Sequence, residues 1–319
     1  MAFSISQFRT ALHTSLGTAL VIAFLVTIGT GCEKFANGII HEVNFPEHEP
    51  SIAVSMTCDE GSDELKLLLS QSAGVMDPEG SALLEEATAE LSLNGLPWLT
   101  LDADDFDGTM YRVNLPQALT IGGQTLDLAV SSAGLERVTA QATMPPTPAI
   151  VVEIEFNADS ISGEWSGEMI ARDHIEVQIA GRDGVSDWFL LAMEVRTIDP
   201  ISADTSDWFP GYLDGPPDPR LQELHSGNTL VSDEGLGDGD LEGLTFYIEH
   251  SGSSEWDDKL RHRIKVTAVS ESYARHLLSL SAYYMSDGNP FSEPVTVYSN
   301  ISSGFGMLGL RNSTAFEIQ

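Results

Sequence analysis

The stretch EATAELSLNG, residues 86–95, decides what kind of chain this is. Ala87, Ala89, Leu91 and Leu93 alternate with Glu86, Thr88, Glu90 and Ser92, and the turn signal Asn94-Gly95 closes the run. Successive side chains of a strand point to opposite faces, so a period of two writes one apolar face and one polar face. The same pattern recurs on both sides. Ile52, Val54 and Met56 share a face, as do Tyr111, Val113 and Leu115, then Leu126, Leu128 and Val130, then Val138, Ala140, Ala142 and Met144. Asp77-Pro78, Asp107-Gly108 and Gly122-Gly123 punctuate them. With Leu65 to Leu69 this makes about seven short strands in roughly a hundred residues, the spacing of an immunoglobulin-like β-sandwich over residues 49–146.

Met144-Pro145-Pro146-Thr147-Pro148 ends that region. Prolines at this density favour a stiff extended link. Alternation resumes with Val152, Ile154 and Phe156 and with Ile175, Val177 and Ile179. More apolar strands follow at Trp188 to Val195, Thr245 to Glu249 and Leu260 to Val269. Residues 199–220, rich in Asp and Pro, read as a long loop. Tyr273, Leu277, Leu280 and Tyr284 recur near a 3.6 period and predict a helix over 272–285. Three short segments, Val295 to Tyr298, Phe305 to Leu310 and the C-terminus, close the chain. The expectation is an all-β protein: an N-terminal sandwich, then a second, mostly antiparallel β domain over 147–319 that carries one short helix.

The first 31 residues have the layout of an export signal. Arg9 is followed by the apolar run LGTALVIAFLVTI, residues 16–28, then by Gly29-Thr30-Gly31 and Cys32. The run is shorter than the roughly 20 residues of a spanning helix. Small residues before a cysteine suit a lipid-transferring enzyme and a peptidase that must reach the backbone. Gly29 stands where leucine is usual. The reading is a lipoprotein signal over 1–31, a covalent lipid such as palmitate on Cys32, and a lipidated tether over 32–48. Cys58, the second of two cysteines, then has no partner in the chain. Its neighbours Asp59 and Glu60 disfavour a thiolate, so it reads as a small half-buried residue at a strand end.

Forty-eight acidic residues against 15 basic ones give a net charge of −33, which excludes nucleic acid as a partner. Only Lys34, Lys66, Lys259 and Lys265 are lysines, and the acids are dispersed, as in proteins that stay soluble in high salt.

Catalytic motifs are missing. The string nearest to a nucleophile elbow, Gly163-Glu164-Trp165-Ser166-Gly167, has its serine out of place, and the eight histidines lie singly. The expectation is a protein that is not an enzyme and carries no cofactor beyond its lipid. Three features remain as candidate sites. The acidic, glycine-rich run 233–243 offers Asp233, Asp238, Asp240 and Glu242 as calcium ligands, although its order departs from the EF-hand loop and a solvated turn is the plainer reading. Arg261, Arg263 and Lys265 place three of the rare cations on one face of one strand, either paired with carboxylates across the sheet or forming a docking stripe for an acidic partner. Trp208, Phe209 and Tyr212 lie in a Pro/Gly/Asp loop, where they either bind a sugar or a protein by stacking or fold over an open sheet edge.

The closing segment is the most specific in the chain. Asn289-Pro290-Phe291-Ser292-Glu293-Pro294-Val295-Thr296-Val297-Tyr298-Ser299-Asn300-Ile301, then Gly304-Phe305-Gly306-Met307-Leu308-Gly309, resembles the end of the DUF4249 family of Bacteroidota-type lipoproteins. Glu49-Pro50-Ser51-Ile52-Ala53-Val54, the Pro-rich join at 144–148 and Ser270-Glu271-Ser272-Tyr273 fit the same pattern in order. The resemblance implies an all-β outer-membrane lipoprotein, at the cell surface or the periplasmic face, commonly encoded beside a TonB-dependent receptor. It carries over no catalytic residue. The expected role is therefore an accessory or binding protein in nutrient uptake, with an envelope hydrolase and an adhesive module as the other classes. Physically, Gly304, Gly306 and Gly309 read as places where backbones approach closely.

Overall fold

A computed structural model of the 319-residue chain describes residues 48–74, 77, 80–115, 117–162, 169–182, 185–199, 202, 204–234, 240–250, 259–286, 293 and 295–318. The export signal, Cys32, the string 163–167 and Asn289-Pro290 lie outside the described residues. The strands are β1 (Ile52–Asp59), β2 (Glu64–Gln71), β3 (Ala82–Leu83), β4 (Thr88–Leu93), β5 (Leu96–Leu101), β6 (Tyr111–Asn114), β7 (Thr125–Ser131) and β8 (Val138–Thr143). Then come β9 (Ala149–Ser162), β10 (Met169–Ala180), β11 (Trp188–Thr197), β12 (Phe209–Pro210), β13 (Gln222–Glu223), β14 (Thr229–Ser232), β15 (Leu241–Glu249) and β16 (Leu260–Val269). Helix α1 (Glu271–Ser286) precedes the last strand, β17 (Phe305–Ile318). The protein is mostly β, and no described helix is long and apolar enough to cross a membrane.

The opening stretch forms the centre of a four-stranded sheet, β5-β4-β7-β8. Ala89 and Leu91 face inward beside Leu126, Leu128 and Val130, while Thr88 and Glu90 face solvent. Asn94 and Gly95 both have positive φ (51° and 76°), the backbone of a two-residue hairpin turn whose twist matches its strands. That turn leads into β5, a strand that period-two reading misses. Leu96-Pro97-Trp98-Leu99 does not alternate, and Pro97 is tolerated because β5 is an edge strand.

Against this sheet packs one half of a ten-stranded sheet ordered β13-β14-β11-β16-β17-β1-β2-β3, with β12 beside β11 and β6 beside β2. Tyr111 is fully buried in the resulting core. Its hydroxyl donates to Leu84 O (2.5 Å) and accepts from Ala87 N–H (2.8 Å). Tyr111→Phe keeps the ring but strands two buried backbone groups, so it should cost about 1–3 kcal/mol in a urea titration. An unchanged midpoint would mean that water replaces the hydroxyl.

Cys58 faces the same core at 1% exposure and is a free thiol. It is fully buried, where its place at a strand end suggests half burial, because the β1 face that carries it, with Ile52, Val54 and Met56, packs into the first core right to the end of the strand. Burial first, then the Asp59 charge, pushes its pKa up to about 12.

The other half of the long sheet packs on the three-stranded sheet β15-β10-β9 around Ile175, Val177, Leu191, Phe246, Ile264 and Val266. The opposite face of β11 and β16 is covered at one end by α1, through Ala274, Tyr273, Leu277 and Leu278. The buried stripe of α1 is Ala274 and Ser281, and Tyr284, read from the sequence as a member of the apolar face, is half exposed and stacks on His225.

The last strand ties both cores together. β17 runs parallel to β1 and antiparallel to β16, so Leu308 and Leu310 enter the first core and Ile318 the second. Between them buried Asn312 donates to Pro145 O at 3.1 Å, pinning the Pro-rich join, where Met144, Pro145 and Pro148 are buried. Gly304 and Gly306 of the closing segment sit where backbones nearly touch, whereas Gly309 instead makes room for the ring of Tyr273, 2.8 Å from where a Cβ would lie. A Cβ at Gly304 would lie 2.5 Å from Ile52 O. Val295 to Tyr298 forms no strand. It is tied to α1 at Tyr298, whose N–H donates to Ser279 Oγ at 2.8 Å and whose O lies 2.7 Å from His276 Nδ1.

Candidate functional site

The two halves of the candidate surface lie about 50 residues apart in sequence and meet on the outer face of β11 and β16. In β16 the residues Ile264, Val266 and Ala268 point into the core, so Arg261, Arg263 and Lys265 point out. Arg263 stands opposite Glu194 in register and bonds it through Nε at 2.5 Å. Lys265 Nζ lies 3.7 Å from the other Glu194 oxygen, and Arg196 reaches Glu317 at 3.2 Å. Trp208 lies across the stripe, its ring centre 4.3 Å from the Arg263 guanidinium carbon and 4.4 Å from that of Arg196. A half-buried cation over an indole contributes about 0.5–2 kcal/mol. Arg261 donates to Leu260 O at 2.8 Å at the end of the stripe. The stripe is thus covered by carboxylates and by Trp208, and that ring is already occupied.

Beyond Trp208 the chain turns back along β11 as β12, with Phe209 paired to Val195. Gly211 N–H donates to Met193 O and Tyr247 N–H donates to Asp214 O, both at 2.8 Å. The segment from Phe209 to Asp214 is therefore bonded to strands of two facing sheets. Glycine is required at both ends of this strap. A Cβ would meet Val195 Cγ2 at 2.6 Å from Gly211 and Thr245 O at 2.5 Å from Gly215. Tyr212 stands at its centre and is 91% exposed.

Two clefts flank Tyr212. The larger, about 1070 Å³, runs beneath the proline-rich stretch and is lined by Met193, Phe246, Asp214, Glu223, Ser226 and Asn228 among others. The smaller, about 480 Å³, is lined by Val195, Tyr247, Glu249 and His262. Met193, Tyr212 and Asp214 border both. Asp218, also on the larger cleft, is gripped by Arg220, whose guanidinium holds that carboxyl below the usual range. A carboxyl held ionised in this way serves as a fixed anion, the opposite of a general acid.

Next to the smaller cleft is a cluster with no sequence motif. Arg172 lies 4.0 Å from the Tyr247 ring centre, His174 packs on the same ring, and Asp159 holds both Arg172 and His174. Register alone creates it, because β10 pairs His174 with Tyr247 on one side and with Glu155 on the other.

The acidic run is partly described. Asp233 is buried at 2% exposure, and its Oδ1 accepts from Asp187 N–H at 2.6 Å. Asp240 accepts from Gly181 N–H at 3.1 Å, and the Glu242 backbone oxygen accepts from Arg220 at 2.8 Å. Asp238 lies outside the described residues. The carboxylates of Asp233 and Asp240 thus cap backbone donors of the neighbouring 181–187 segment. Among the described residues no group of three or more His, Cys, Asp or Glu side chains converges as a metal site.

Burial, and then the nearby Asp187 charge, raises the Asp233 pKa, and its Oδ2 has no partner among the described residues. A raised carboxyl pKa means the folded state binds the extra proton first. Stability therefore rises as pH falls from the folded pKa towards the ordinary value near 4, and the ionised form is destabilising above that window. Asp233→Asn should accordingly raise stability at pH 7 by on the order of 1 kcal/mol, read as a higher melting temperature. The advantage should shrink as the pH approaches 4. A variant less stable than wild type at pH 7 would show that the charge itself is needed.

Comparison with known proteins places the chain. The family model described as "Domain of unknown function (DUF4249)" matches residues 40–317. No curated protein matches. Among solved structures, a β-glucuronidase of Parabacteroides merdae is similar over 70% of this chain and 24% of its own, at 11% identity and a TM-score of 0.21. β-Glucuronidase 3 of Bacteroides uniformis is similar over 70% and 23%, at 9% identity and a TM-score of 0.20. The BSP domain of a biofilm-associated protein is similar over 88% and 62%, at 8% identity and a TM-score of 0.17. The chain thus spans about a quarter of the glucuronidases, and similarity at this level bears on neither fold nor activity.

Proposed function

The chain belongs to the DUF4249 family, and from that premise we propose that it is a lipid-anchored accessory or binding protein of the cell envelope. In this reading it is held in the outer membrane by the lipid on Cys32 and works beside a TonB-dependent transporter in nutrient uptake. The observation that carries the binding role is the strap from Phe209 to Asp214, which holds an exposed tyrosine between two clefts. Concave sites with an apolar floor and a few convergent polar groups are where ligands settle.

The lining of the larger cleft supports a holding role. It has no histidine, cysteine, lysine or arginine. Its Glu194 is engaged by Arg263 and Lys265, and its Asp218 by Arg220. An anchor adds what a soluble binder lacks. A ligand captured on a tethered protein stays near the transporter at a raised effective concentration, without any new contact.

Affinity purification of the acylated, full-length protein from detergent-solubilised envelopes tests the proposal. A TonB-dependent receptor should co-purify in amounts near those of the bait. Recovery of no such receptor above a mock purification would overturn it.

A further inference from the structure

Tyr212 presents a physical contradiction. A side chain that is 91% exposed gains almost no hydrophobic stabilisation, yet the backbone on either side of it is bonded to two strands. Hydrogen bonds hold it on both sides, Gly211 and Gly215 are pressed against strands, and Pro210, Pro216, Pro217 and Pro219 fix φ around it. Constraint of that kind lowers the entropy lost when a ligand lands on the ring. Trp208, a few residues earlier, has its face taken by Arg196 and Arg263.

We propose that the larger cleft is a saccharide site, with Tyr212 as its stacking platform and neutral oligosaccharides as its ligands. The inference rests on the binding role above and names the class of nutrient. An exposed aromatic face at the rim of a cleft suits the apolar C–H face of a pyranose. The sugar's hydroxyls then need acceptors and donors within reach, and Asp214, Glu223 and Asn228 supply carboxylate and amide groups on the same cleft. The size argues for several sugar units, because about 1070 Å³ lies just above the roughly 300–1,000 Å³ of drug-sized pockets.

Charge selects among sugars. No cationic side chain lines the cleft; of its four carboxylates Glu194 and Asp218 are ion-paired, which leaves Asp214 and Glu223 with the chain's net −33 to repel uronates, sulfated sugars and phosphates. A basic peptide is the other ligand a carboxylate-lined cleft could draw. It is disfavoured because Glu194 and Asp218 already hold Arg263, Lys265 and Arg220.

Isothermal titration of the full-length acylated protein in detergent decides the matter. The probes are maltohexaose, cellohexaose, mannohexaose and xylohexaose, with hexagalacturonate as the acidic control and octalysine as the cationic one. At least one neutral hexasaccharide should bind and hexagalacturonate should not. Tyr212→Ala should weaken binding about tenfold or more, whereas Tyr212→Phe, which keeps the ring, should stay within about threefold. Tyr212 is exposed, so neither variant threatens the fold. Silence from all four neutral sugars, binding indifferent to Tyr212→Ala, or a preference for octalysine would each overturn the proposal. If the sugars fail while a TonB-dependent receptor still co-purifies, the saccharide site falls and the accessory role stands. Sugar binding without the receptor would leave the site and remove the transport role.

Discussion

Gly306→Ala will not accumulate as a folded protein. Gly306 has φ +102°, a region that side chains avoid, and a Cβ there would lie 1.9 Å from Val54 O, 2.9 Å from Val54 C and 3.0 Å from Val54 N. All three are backbone atoms of the partner strand, since Val54 is opposite Gly306 in the parallel β1·β17 ladder. No rotamer change relieves such a contact. Either β17 moves away from β1, giving up the ladder that closes the first core through Leu308 and Leu310, or the backbone takes on severe strain. The expected loss exceeds about 4–5 kcal/mol, a large part of the roughly 5–15 kcal/mol that holds a domain together. Gly227 is the control. It also has positive φ (+81°), but a Cβ there meets nothing within 4 Å, so Gly227→Ala should cost only about 1 kcal/mol. Soluble yield and urea midpoints of the pair check the claim. Similar midpoints for both variants would show that β1 and β17 part more readily than their contact geometry allows.

On the proposed lipoprotein reading, Cys32→Ser is the second all-or-none case, with its expected effect on localisation where the first acts on folding. A thiol can reach the thiolate that attacks a lipid donor, whereas a serine hydroxyl is far weaker as a nucleophile without an activating base. Each buried methylene contributes about 0.8 kcal/mol of membrane affinity, and more than one acyl chain is needed for stable anchoring. Removing the attachment point should abolish incorporation of radiolabelled palmitate and move the protein from the membrane pellet to the soluble fraction. Continued labelling of the serine variant would sink the lipoprotein reading. Because Cys58 is buried with its pKa near 12, it offers no second attachment point in the folded protein.

The alternation that begins at Glu86 was sufficient to see most strands because burial on one face of a sheet writes itself as a period of two. Leu260 to Val269, read from alternation, is the observed β16 to the residue. The rule failed where its premise did. Leu96–Leu101 is an edge strand that does not alternate, and Phe305–Ile318 is a single strand of 14 residues where pattern suggested two short pieces. It also overreached at Val295 to Tyr298, whose alternating Val295 and Val297 belong to a segment that pairs with no strand and is tied to α1 at Tyr298. The candidate surface was legible only in fragments. Residue types marked Trp208, Tyr212 and Arg263 as unusual, but no spacing rule connects residue 208 with 196 and 263. The cluster of Arg172, His174 and Tyr247 left no mark, since cross-strand register is a long-range property.

By itself the sequence determined the fold class, the family, the acidic character, and the glycines that let the closing strand approach its neighbour. These are local quantities, carried by period, composition and residue type. Only the tertiary structure decided that the last strand belongs to both cores, that Trp208 is consumed by two arginines, and that Tyr212 is held out between two clefts. Each of these depends on which distant segments pair. The chain that writes an apolar face does not write which face it will meet.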